Sequence, residues 1–295
     1  MNVRKAVILA AGYGTRFLPA TKAIPKEMLP LVDRPAIQYV VEEAVKAGLE
    51  QIIMVTAATK RAVEDHFDRD VELERWLEQK GSGQQAEEIR RVAGLADIAC
   101  VREKERLGIG HAVLMARSLV GDEPFALFFP DDIIESEVPA IKQLMDVFYR
   151  HGGSVLAVQR VPREEIHHYG VIEPKPLEDR VYQVLGIVEK PAAGKAPSDL
   201  AVVGRYVLTP ALFQILARTR PDPNAGGEIQ LTDGIAQLLG EEPVFACRYE
   251  GERFDVGRPL GLLKASLSMA LRRPDLGPEL RRYLRELVAG EESRD

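Results

Sequence analysis

The sequence has few cysteines, no long apolar segment and no cleavage signal. Cys100 and Cys247 are far apart and lack C-x-x-C spacing, which excludes a disulfide framework and a cysteine-ligated zinc site. The N-terminal apolar run has about seven residues, far fewer than the roughly 18 that a membrane span needs. We therefore expect a cytoplasmic protein with no membrane association.

An excess of basic charge is also missing. The 295 residues include 39 Lys plus Arg and 45 Asp plus Glu, so the net charge is −6 and no overall field attracts nucleic acid. No G-x-S-x-G motif is present, and the five histidines lack zincin or nucleophile spacing, so a hydrolase has no support. His167 and His168 are adjacent; on a strand they would point to opposite faces, and we interpret both as structural or surface residues.

The N-terminal region predicts a strand–helix–strand unit. A continuous apolar run over Lys5–Ala11 is typical of a strand buried on both faces. Apolar residues then recur with helical spacing between Asp33, the expected cap, and Gly48, the expected end. The β-rich run Gln51–Thr56 follows, which predicts a right-handed βαβ unit. The predicted fold class is α/β, with a Rossmann-like mixed, mostly parallel sheet flanked by helices.

Alternation of strands and helices continues along the chain. Residues 60–98 predict two or three short helices, with Trp76 and Leu77 as inward anchors. From Leu260 onward the pattern predicts two helices broken at Pro274. We expect a main domain over residues 1–259 and a C-terminal helical extension over 260–295. Further strands are expected at Phe125–Phe129, Ser154–Gln159, Gln183–Val188 and Val202–Leu208, with helices from Ala211 and across Ile229–Leu239.

A glycine-rich segment, Ala10–Arg16, directly follows the first strand. Glycines there let backbone N–H groups approach phosphate oxygens, and Arg16 and Lys26 add positive charge, which favours a polyphosphate site. An ordinary strand-to-helix turn is the alternative. The P-loop motif is absent, and Phe17 occupies the third glycine position of the dinucleotide motif, which weakens a dehydrogenase interpretation.

Two pairs of charged residues have a chemical interpretation. Asp131 follows the strand FALFF and Asp255 follows another β-like run; together they could bind one Mg²⁺, although Pro130–Asp132 alone is more often a solvated turn. Glu189 and Lys190 lie side by side at a strand end and suit sugar hydroxyls and a phosphate, although such a pair is usually a surface ion pair.

The segment Ala10–Pro35, AAGYGTRFLPATKAIPKEMLPLVDRP, resembles the sugar-1-phosphate nucleotidyltransferase signature, G-x-G-T-R followed by P-K-x-x-L-P. The sequence of this segment is similar to that of the family's bacterial branch, whose members join UTP to glucose 1-phosphate. Other segments occur in the order that this family uses, so the resemblance covers nearly the whole chain. They are LGIGHAV at Leu107–Val113, PDD at Pro130–Asp132, HYGVIE at His168–Glu173, VEKP at Val188–Pro191, VVGRYVL at Val202–Leu208, GGEIQLTD at Gly226–Asp233 and FDVGRP at Phe254–Pro259.

The resemblance implies a nucleotidyltransferase fold and an enzyme that makes UDP-glucose and pyrophosphate from UTP and glucose 1-phosphate. It implies Mg²⁺ on Asp131 and Asp255, catalytic roles for Arg16, Lys26 and Lys190, and a homodimer or homotetramer in contact through the helices after Leu260. The implied nucleotide-binding residues are Ala10, Ala11, Gly12, Gly14, Thr15, Arg16, Lys26, Glu27, Glu103, Gly108 and Asp131. The implied sugar-phosphate residues are Gly170, Glu189, Lys190, Gly204 and Glu228; either Gly170 or Gly204 could instead be an ordinary bulge.

One residue departs from the family pattern. The family places a glutamine five residues before the glycine of the LG segment, where its amide reads the pyrimidine edge, but this chain has Glu103 before Gly108. A carboxylate accepts from uracil N3–H but cannot donate to O4, and it could accept from the cytosine amino group. CTP or dTTP therefore stays open as the nucleotide. A catalytically silent sensor is a further alternative, but it would be expected to lose a phosphate or metal ligand.

Overall fold

The computed structural model describes residues 2–192, 194–221 and 226–292, with side chains as far as residue 290. The strands are β1 Lys5–Leu9, β2 Pro30–Leu31, β3 Arg34–Pro35, β4 Gln51–Thr56, β5 Asp97–Arg102, β6 Phe125–Phe128, β7 Asp132–Glu135, β8 Ser154–Arg160, β9 Gly170–Glu178, β10 Val181–Glu189, β11 Leu200–Leu208, β12 Val244–Arg248 and β13 Glu252–Asp255. The helices are α1 Ala36–Lys46, α2 Arg61–Asp65, α3 Val71–Gln79, α4 Gly83–Ala93, α5 Ile109–Met115, α6 Arg117–Val120, α7 Ala140–His151, α8 Ala211–Arg218, α9 Leu231–Leu238, α10 Pro259–Arg272 and α11 Gly277–Glu292.

One large mixed sheet organises the chain, in the order β5-β4-β1-β6-β11-β8-β12-β10-β9. The strands β5, β4, β1 and β6 run parallel to one another. In contrast, β11 runs antiparallel to both of its neighbours, β6 and β8. The strands β9 and β10 form an antiparallel pair, so parallel pairing is less dominant than we predicted. The α/β class with a mixed sheet and a C-terminal helical segment is confirmed.

Two apolar cores cover the two faces of this sheet. One core packs α1 and α7 against side chains such as Ile8 and Phe128, and the other packs α5, α8 and α9 against the alternate residues, such as Val7 and Phe125. The rings of Phe125 and Phe213 stack with centroids 4.9 Å apart. Because β1 and β6 are buried on both faces, each reads as a continuous apolar run.

Parallel strands place the chemically interesting loops at one edge. The loop from Ala10 leaves the carboxyl end of β1, the turn Phe129–Asp131 leaves that of β6, and the segment from Glu103 leaves that of β5. Ligands of open α/β sheets bind at this edge. The two-stranded pair of β13 and β7 brings Asp255 to the same place, opposite Asp132.

Several local expectations are wrong. Asp33 does not cap α1: it lies in the turn of the β2–β3 hairpin and pairs with Arg273, and Pro35 is the N-cap residue. Trp76 is 53% exposed, because Leu77 occupies the inward side of α3. The prediction that His167 and His168 are surface residues is confirmed, since both are exposed in a 3₁₀ turn, with their rings 4.0 Å apart.

The C-terminal segment forms two helices, as predicted, with Pro274 between them. Helix α10 packs against β13 and β2. Residues 293–295 of the expected extension lie outside the described residues. In the described ranges, no helix combines the length and apolarity that crossing a bilayer requires.

Candidate active site

Two adjoining cavities open at the carboxyl edge of the sheet, and they share Ile109, Phe129 and Asp131. The glycine cavity, of about 320 Å³, is lined by Leu9, Ala11, Gly12, Lys26, Glu103, Arg106, Gly108, Ala112, Pro130, Glu228 and the shared residues. The charged cavity, of about 270 Å³, is lined by the shared residues and Arg16, Asp132, His168, Tyr169, Gly170, Glu189, Lys190, Val202, Val203, Gly204, Tyr206, Gln230, Leu231, Thr232, Arg253, Asp255 and Arg258. Two ligands could therefore meet beside Asp131.

The loop after β1 brings Lys26 into the glycine cavity. Gly14 has φ 70°, and a Cβ on it would lie 2.9 Å from the Cβ of Lys26, so this position needs glycine for both conformation and space. The hydroxyl of Thr21 donates to the Gly14 carbonyl at 2.8 Å and closes the loop. The close approach of Gly14 to the Lys26 stem restricts where the ammonium can lie.

Lys26 and Asp131 form a short ion pair at the junction of the cavities. The Nζ atom lies 2.6 Å from Oδ2 of Asp131, and the two side chains are 18% and 27% exposed. Burial disfavours the charged amine, but the charges of Asp131 and Glu27 outweigh it and raise the pKa of Lys26 above its ordinary value. Burial likewise opposes ionisation of Asp131, but Lys26 lowers its pKa overall. Both groups are therefore charged at neutral pH.

Asp131 and Asp255 converge on one point. A Cβ built on Gly257 would lie 2.7 Å from Oδ2 of Asp131 and 3.1 Å from Oδ1 of Asp255, so the two oxygens are near neighbours. The Val256 amide, next to Asp255, donates to the Asp131 carbonyl at 2.8 Å. Two carboxylates this close together are the ligands expected for a divalent ion that keeps waters and takes ligands at about 2.1 Å.

The charged cavity presents a carboxylate and several cations to a ligand. Oε2 of Glu189 accepts from the Thr232 hydroxyl at 2.7 Å, and Oε1 lies 3.3 Å from Nζ of Lys190. A Cβ on Gly170 would lie 3.2 Å from Oε2 of Glu189, so a larger residue would crowd this carboxylate. Arg16 lines the same cavity. The set can accept from hydroxyl groups and neutralise a phosphate.

The far end of the glycine cavity carries Glu103 and Gly108. Oε1 of Glu103 lies 3.1 Å from Nδ1 of His111, and the Glu103 side chain is only 5% exposed. The Arg106 guanidinium lies 3.5 Å from the centroid of the Tyr13 ring and donates to the Ala11 carbonyl. Glu103 therefore presents a carboxylate edge in the cavity, with Arg106 and Tyr13 bridging the two loops that border it.

Some predicted residues lie elsewhere. Ala10 is fully buried, and Thr15 is exposed outside both cavity linings. Glu27 points into the protein, where it is 2% exposed and accepts from Nζ of Lys60 at 2.7 Å, so it does not reach a ligand directly. The site roles of these three residues were predicted only from their place in the motif. A motif does not specify the direction in which a side chain points.

Two residues predicted to contact the sugar take other positions. Glu228 lines the glycine cavity: its Cβ would lie 2.8 Å from a Cβ on Gly108. Gly204 borders the charged cavity, but a Cβ on it would lie 2.5 Å from Oδ2 of Asp132 and 2.7 Å from Cβ of Phe129. Close packing against its own protein, rather than against a ligand, thus accounts for the glycine at 204.

Sequence reasoning missed three supporting side chains. Arg253 donates to Asp132 at 2.6 Å, Thr232 donates to Glu189, and the fully buried Arg205 contacts the turn that carries Asp131. Arg205 lies inside an otherwise apolar strand, and a charged residue in such a run indicates a buried partner. That pattern could have identified it.

Comparison with known proteins shows the family to which the chain belongs. The family model described as nucleotidyl transferase matches residues 5–271. The chain is 52% identical over 291 residues, 99% of each chain, to the UTP–glucose-1-phosphate uridylyltransferase of Bacillus subtilis (strain 168). It is similar in structure to the UTP-bound UGPase from Acinetobacter baumannii, with a TM-score of 0.90 and 43% identity over 97% of this chain and 100% of that one. A UDP-glucose pyrophosphorylase complexed with UDP-glucose gives a TM-score of 0.84 and 40% identity over 92% and 100%. With matches of this length and identity, the chain belongs to the nucleotidyl transferase family.

Proposed function

We propose that the protein is a UTP–glucose-1-phosphate uridylyltransferase, which forms UDP-glucose and pyrophosphate from UTP and glucose 1-phosphate. The observation that carries this proposal is the junction of the two cavities at Asp131, beside Lys26. The glycine cavity receives UTP and the charged cavity receives the sugar phosphate. This arrangement brings the attacking phosphate oxygen to the α-phosphorus.

The protein's own residues position the reactants and neutralise charge. Lys26 binds the triphosphate of UTP, Arg16 reaches the same triphosphate from the charged cavity, and Lys190 binds the phosphate of the sugar. Glu189 accepts hydrogen bonds from glucose hydroxyls, in the orientation that Thr232 imposes on it. The sugar phosphate oxygen attacks in line, the bond from the α-phosphorus to the bridging oxygen breaks, and pyrophosphate leaves with the electron pair. Positioning and electrostatics supply most catalysis in such transfers.

Asp131 and Asp255 would bind one Mg²⁺. One oxygen of each lies within 3.1 Å of the position that a Cβ on Gly257 would take, and Mg²⁺ commonly takes one or two carboxylates together with substrate phosphates. When bound, this ion would neutralise negative charge on the triphosphate. The Lys26 ammonium donates a hydrogen bond to Oδ2 of Asp131. Its positive charge would therefore stabilise both that carboxylate and the phosphates of the nucleotide.

Uridine is the proposed base. The relatives named above are a UTP-dependent enzyme and structures with UTP or UDP-glucose, which supports UTP over CTP or dTTP. Whether His111 donates its Nδ1 proton to Glu103 or accepts one from it, Oε1 is engaged and the other oxygen is left as an acceptor. This second Glu103 oxygen can accept a hydrogen bond from uracil N3–H.

The test measures pyrophosphate release with glucose 1-phosphate and Mg²⁺, comparing UTP, dTTP, CTP and ATP. We expect turnover with UTP to exceed that with each of the others. The variant Glu103→Gln, which restores the family residue, should keep this preference. A native preference for CTP that moves to UTP in Glu103→Gln would contradict the uridine assignment while leaving a nucleotidyltransferase.

We also propose a cytoplasmic homodimer or homotetramer. Both cysteines are free thiols, which supports a reducing compartment. Leu260, Leu263 and Tyr283 on the C-terminal helices are 63%, 66% and 57% exposed, which supports an extension at 260–295 that contacts another copy. Sedimentation of the full chain should give a dimer or tetramer, and a monomer at working concentration would contradict this.

A further inference from the structure

A β-bulge in β11 lies directly behind the turn that carries Asp131. Val203 pairs with Ala157 of β8 and Tyr206 with Leu156, so the intervening residues, Gly204 and Arg205, have no counterpart on that strand. Bulges re-aim side chains and occur often beside active sites. Here the bulge turns the Gly204 amide toward Asp132 and the Arg205 side chain toward the Asp131 turn.

All five guanidinium N–H groups of Arg205 have acceptors. Nη1 donates to the Phe129 carbonyl at 3.3 Å and the Gly204 carbonyl at 3.1 Å. Nη2 donates to the Asp132 carbonyl at 2.8 Å and to Oε2 of Glu43 at 2.7 Å, and Nε also donates to Glu43. Arg205 therefore contacts the residues on both sides of the Pro130–Asp131 dipeptide, and its planar fork cannot be replaced by an ammonium.

Glu43 completes this arrangement from helix α1. Its side chain is 9% exposed, Arg205 is fully buried, and the carboxylate also accepts from the Ile141 amide at the start of α7. A buried guanidinium is costly without a paired, hydrogen-bonded charge. The pair thus ties the Asp131 turn to two helices outside both cavities.

The carboxylate of Asp132 adds a second tie. It accepts from the Gly204 amide at 2.7 Å and from Nε of Arg253 at 2.6 Å, and Arg253 lies on β13, two residues before Asp255. The bulge residues therefore contact the turn of one metal carboxylate directly and the strand of the other through Asp132. Rigid outer contacts of this kind set the geometry of metal ligands.

We propose that Arg205, with Glu43, is a positioning residue for the metal carboxylates: it fixes the Phe129–Asp132 turn so that Asp131 and Asp255 share one cation. This inference rests on the proposed function, because it assigns the metal to these two carboxylates. Arg205 is fully buried and lines neither cavity. Its removal should weaken metal binding and leave metal-free nucleotide binding unchanged.

The test uses the full chain with UTP and no sugar phosphate, and follows Mn²⁺ binding by the electron paramagnetic resonance of the free ion. Arg205→Lys keeps the charge but not the fork, and Glu43→Gln keeps the shape but not the charge. We expect each to weaken Mn²⁺ binding about 10- to 100-fold, the range for residues that orient metal ligands. UTP affinity measured in EDTA should stay at the native value.

Glu242→Gln is the matched control. Glu242 is another half-buried carboxylate with several contacts, since it accepts from Ser154 and Thr209 at the opposite end of β8 and β11. Its variant should lower the melting temperature without changing Mn²⁺ affinity. If Arg205→Lys cannot be purified folded, Glu43→Gln decides the question with the same readouts.

The outcomes separate the two claims. Weaker Mn²⁺ binding in every folded variant of Arg205 and Glu43, with native binding in Glu242→Gln, supports the positioning role. Native Mn²⁺ binding in a folded Arg205→Lys or Glu43→Gln protein overturns it, as does an equal loss in Glu242→Gln, which would indicate general destabilisation. If the native protein binds no Mn²⁺ in the presence of UTP, the metal assignment itself fails, and the positioning role fails with it.

Discussion

Replacement of Lys26 by methionine should separate catalysis from folding. Among the described residues Lys26 is the one lysine that lines the glycine cavity, and its ammonium lies 2.6 Å from Asp131 at the junction of the two cavities. Methionine keeps the apolar stem and the volume but removes the charge. Loss of one preorganised group that stabilises developing charge lowers turnover about 10²- to 10³-fold. We expect kcat to fall within that range.

The expected cost in stability is much smaller. The Lys26 side chain is 18% exposed and Asp131 is 27% exposed, so the orphaned carboxylate stays in contact with solvent. Loss of such a half-buried pair costs about 1–2 kcal/mol, between the values for exposed and buried pairs. The melting temperature should therefore fall by only a few degrees, roughly 2–4 °C per kcal/mol in a chain of this size.

The assay is pyrophosphate release at saturating UTP and glucose 1-phosphate, combined with a thermal melt of each protein. Lys22→Met is the matched control, because Lys22 is an exposed lysine of the same loop that lines neither cavity. It should keep native turnover. If Lys26→Met retained turnover within about threefold of native, well short of the loss expected for such a group, the role of Lys26 would be refuted.

Three further predictions follow from other contacts. Asp255→Asn should raise the Mg²⁺ concentration needed for half-maximal activity, and a native metal titration would contradict its role as a ligand. Gly14→Ala should lower both kcat and stability, since its Cβ would collide with Lys26 at φ 70°; native kinetics would show that the loop can adapt. Arg69 and Arg90 lower the pKa of Glu74 from 4.5 to about 2, so its stabilising effect is present above pH 4.5 and is lost as the pH falls toward 2. The difference in unfolding free energy between native protein and Glu74→Gln should shrink over that interval, and a constant difference would contradict it.

The strands β1, β4, β6, β8 and β11 could be predicted because burial on both faces leaves a direct trace in the sequence, whereas β5, β9 and β12 were not predicted. The runs at Gln51–Thr56 and Ser154–Gln159 form strands within one residue of the predicted bounds. The direction of each strand in the sheet was harder to predict than its position in the sequence. Reversal of β11 between β6 and β8 depends on long-range packing, and no local pattern records it.

Site residues could be predicted where backbone geometry or charge requires a particular residue type. Gly12, Lys26 and Asp131 line the glycine cavity, as does Glu103, which only the family resemblance indicated. Side-chain direction could not be predicted. Glu27 follows Lys26 in the motif, yet the short 3₁₀ turn points its carboxylate inward to Lys60.

The supporting contacts were also beyond local patterns. Arg205 and Glu43 are separated by 162 positions along the chain, and only the folded sheet and helix α1 bring them together. Glu103 shows the same limit: its departure from the family residue was visible, but its contact with His111 depended on how α5 packs against β1 and β4. Pairwise contacts of this kind set the geometry of the site.

The most direct measurement of the central claim follows oxygen atoms through the reaction. Glucose 1-phosphate labelled with ¹⁸O in its phosphate is incubated with the protein, UTP and Mg²⁺, and the products are analysed by ³¹P NMR. Attack by the sugar phosphate predicts that UDP-glucose retains all of the label, that pyrophosphate carries none, and that the two products form in equal amounts. Label in pyrophosphate, or UTP consumption without UDP-glucose, would contradict the proposed uridylyl transfer.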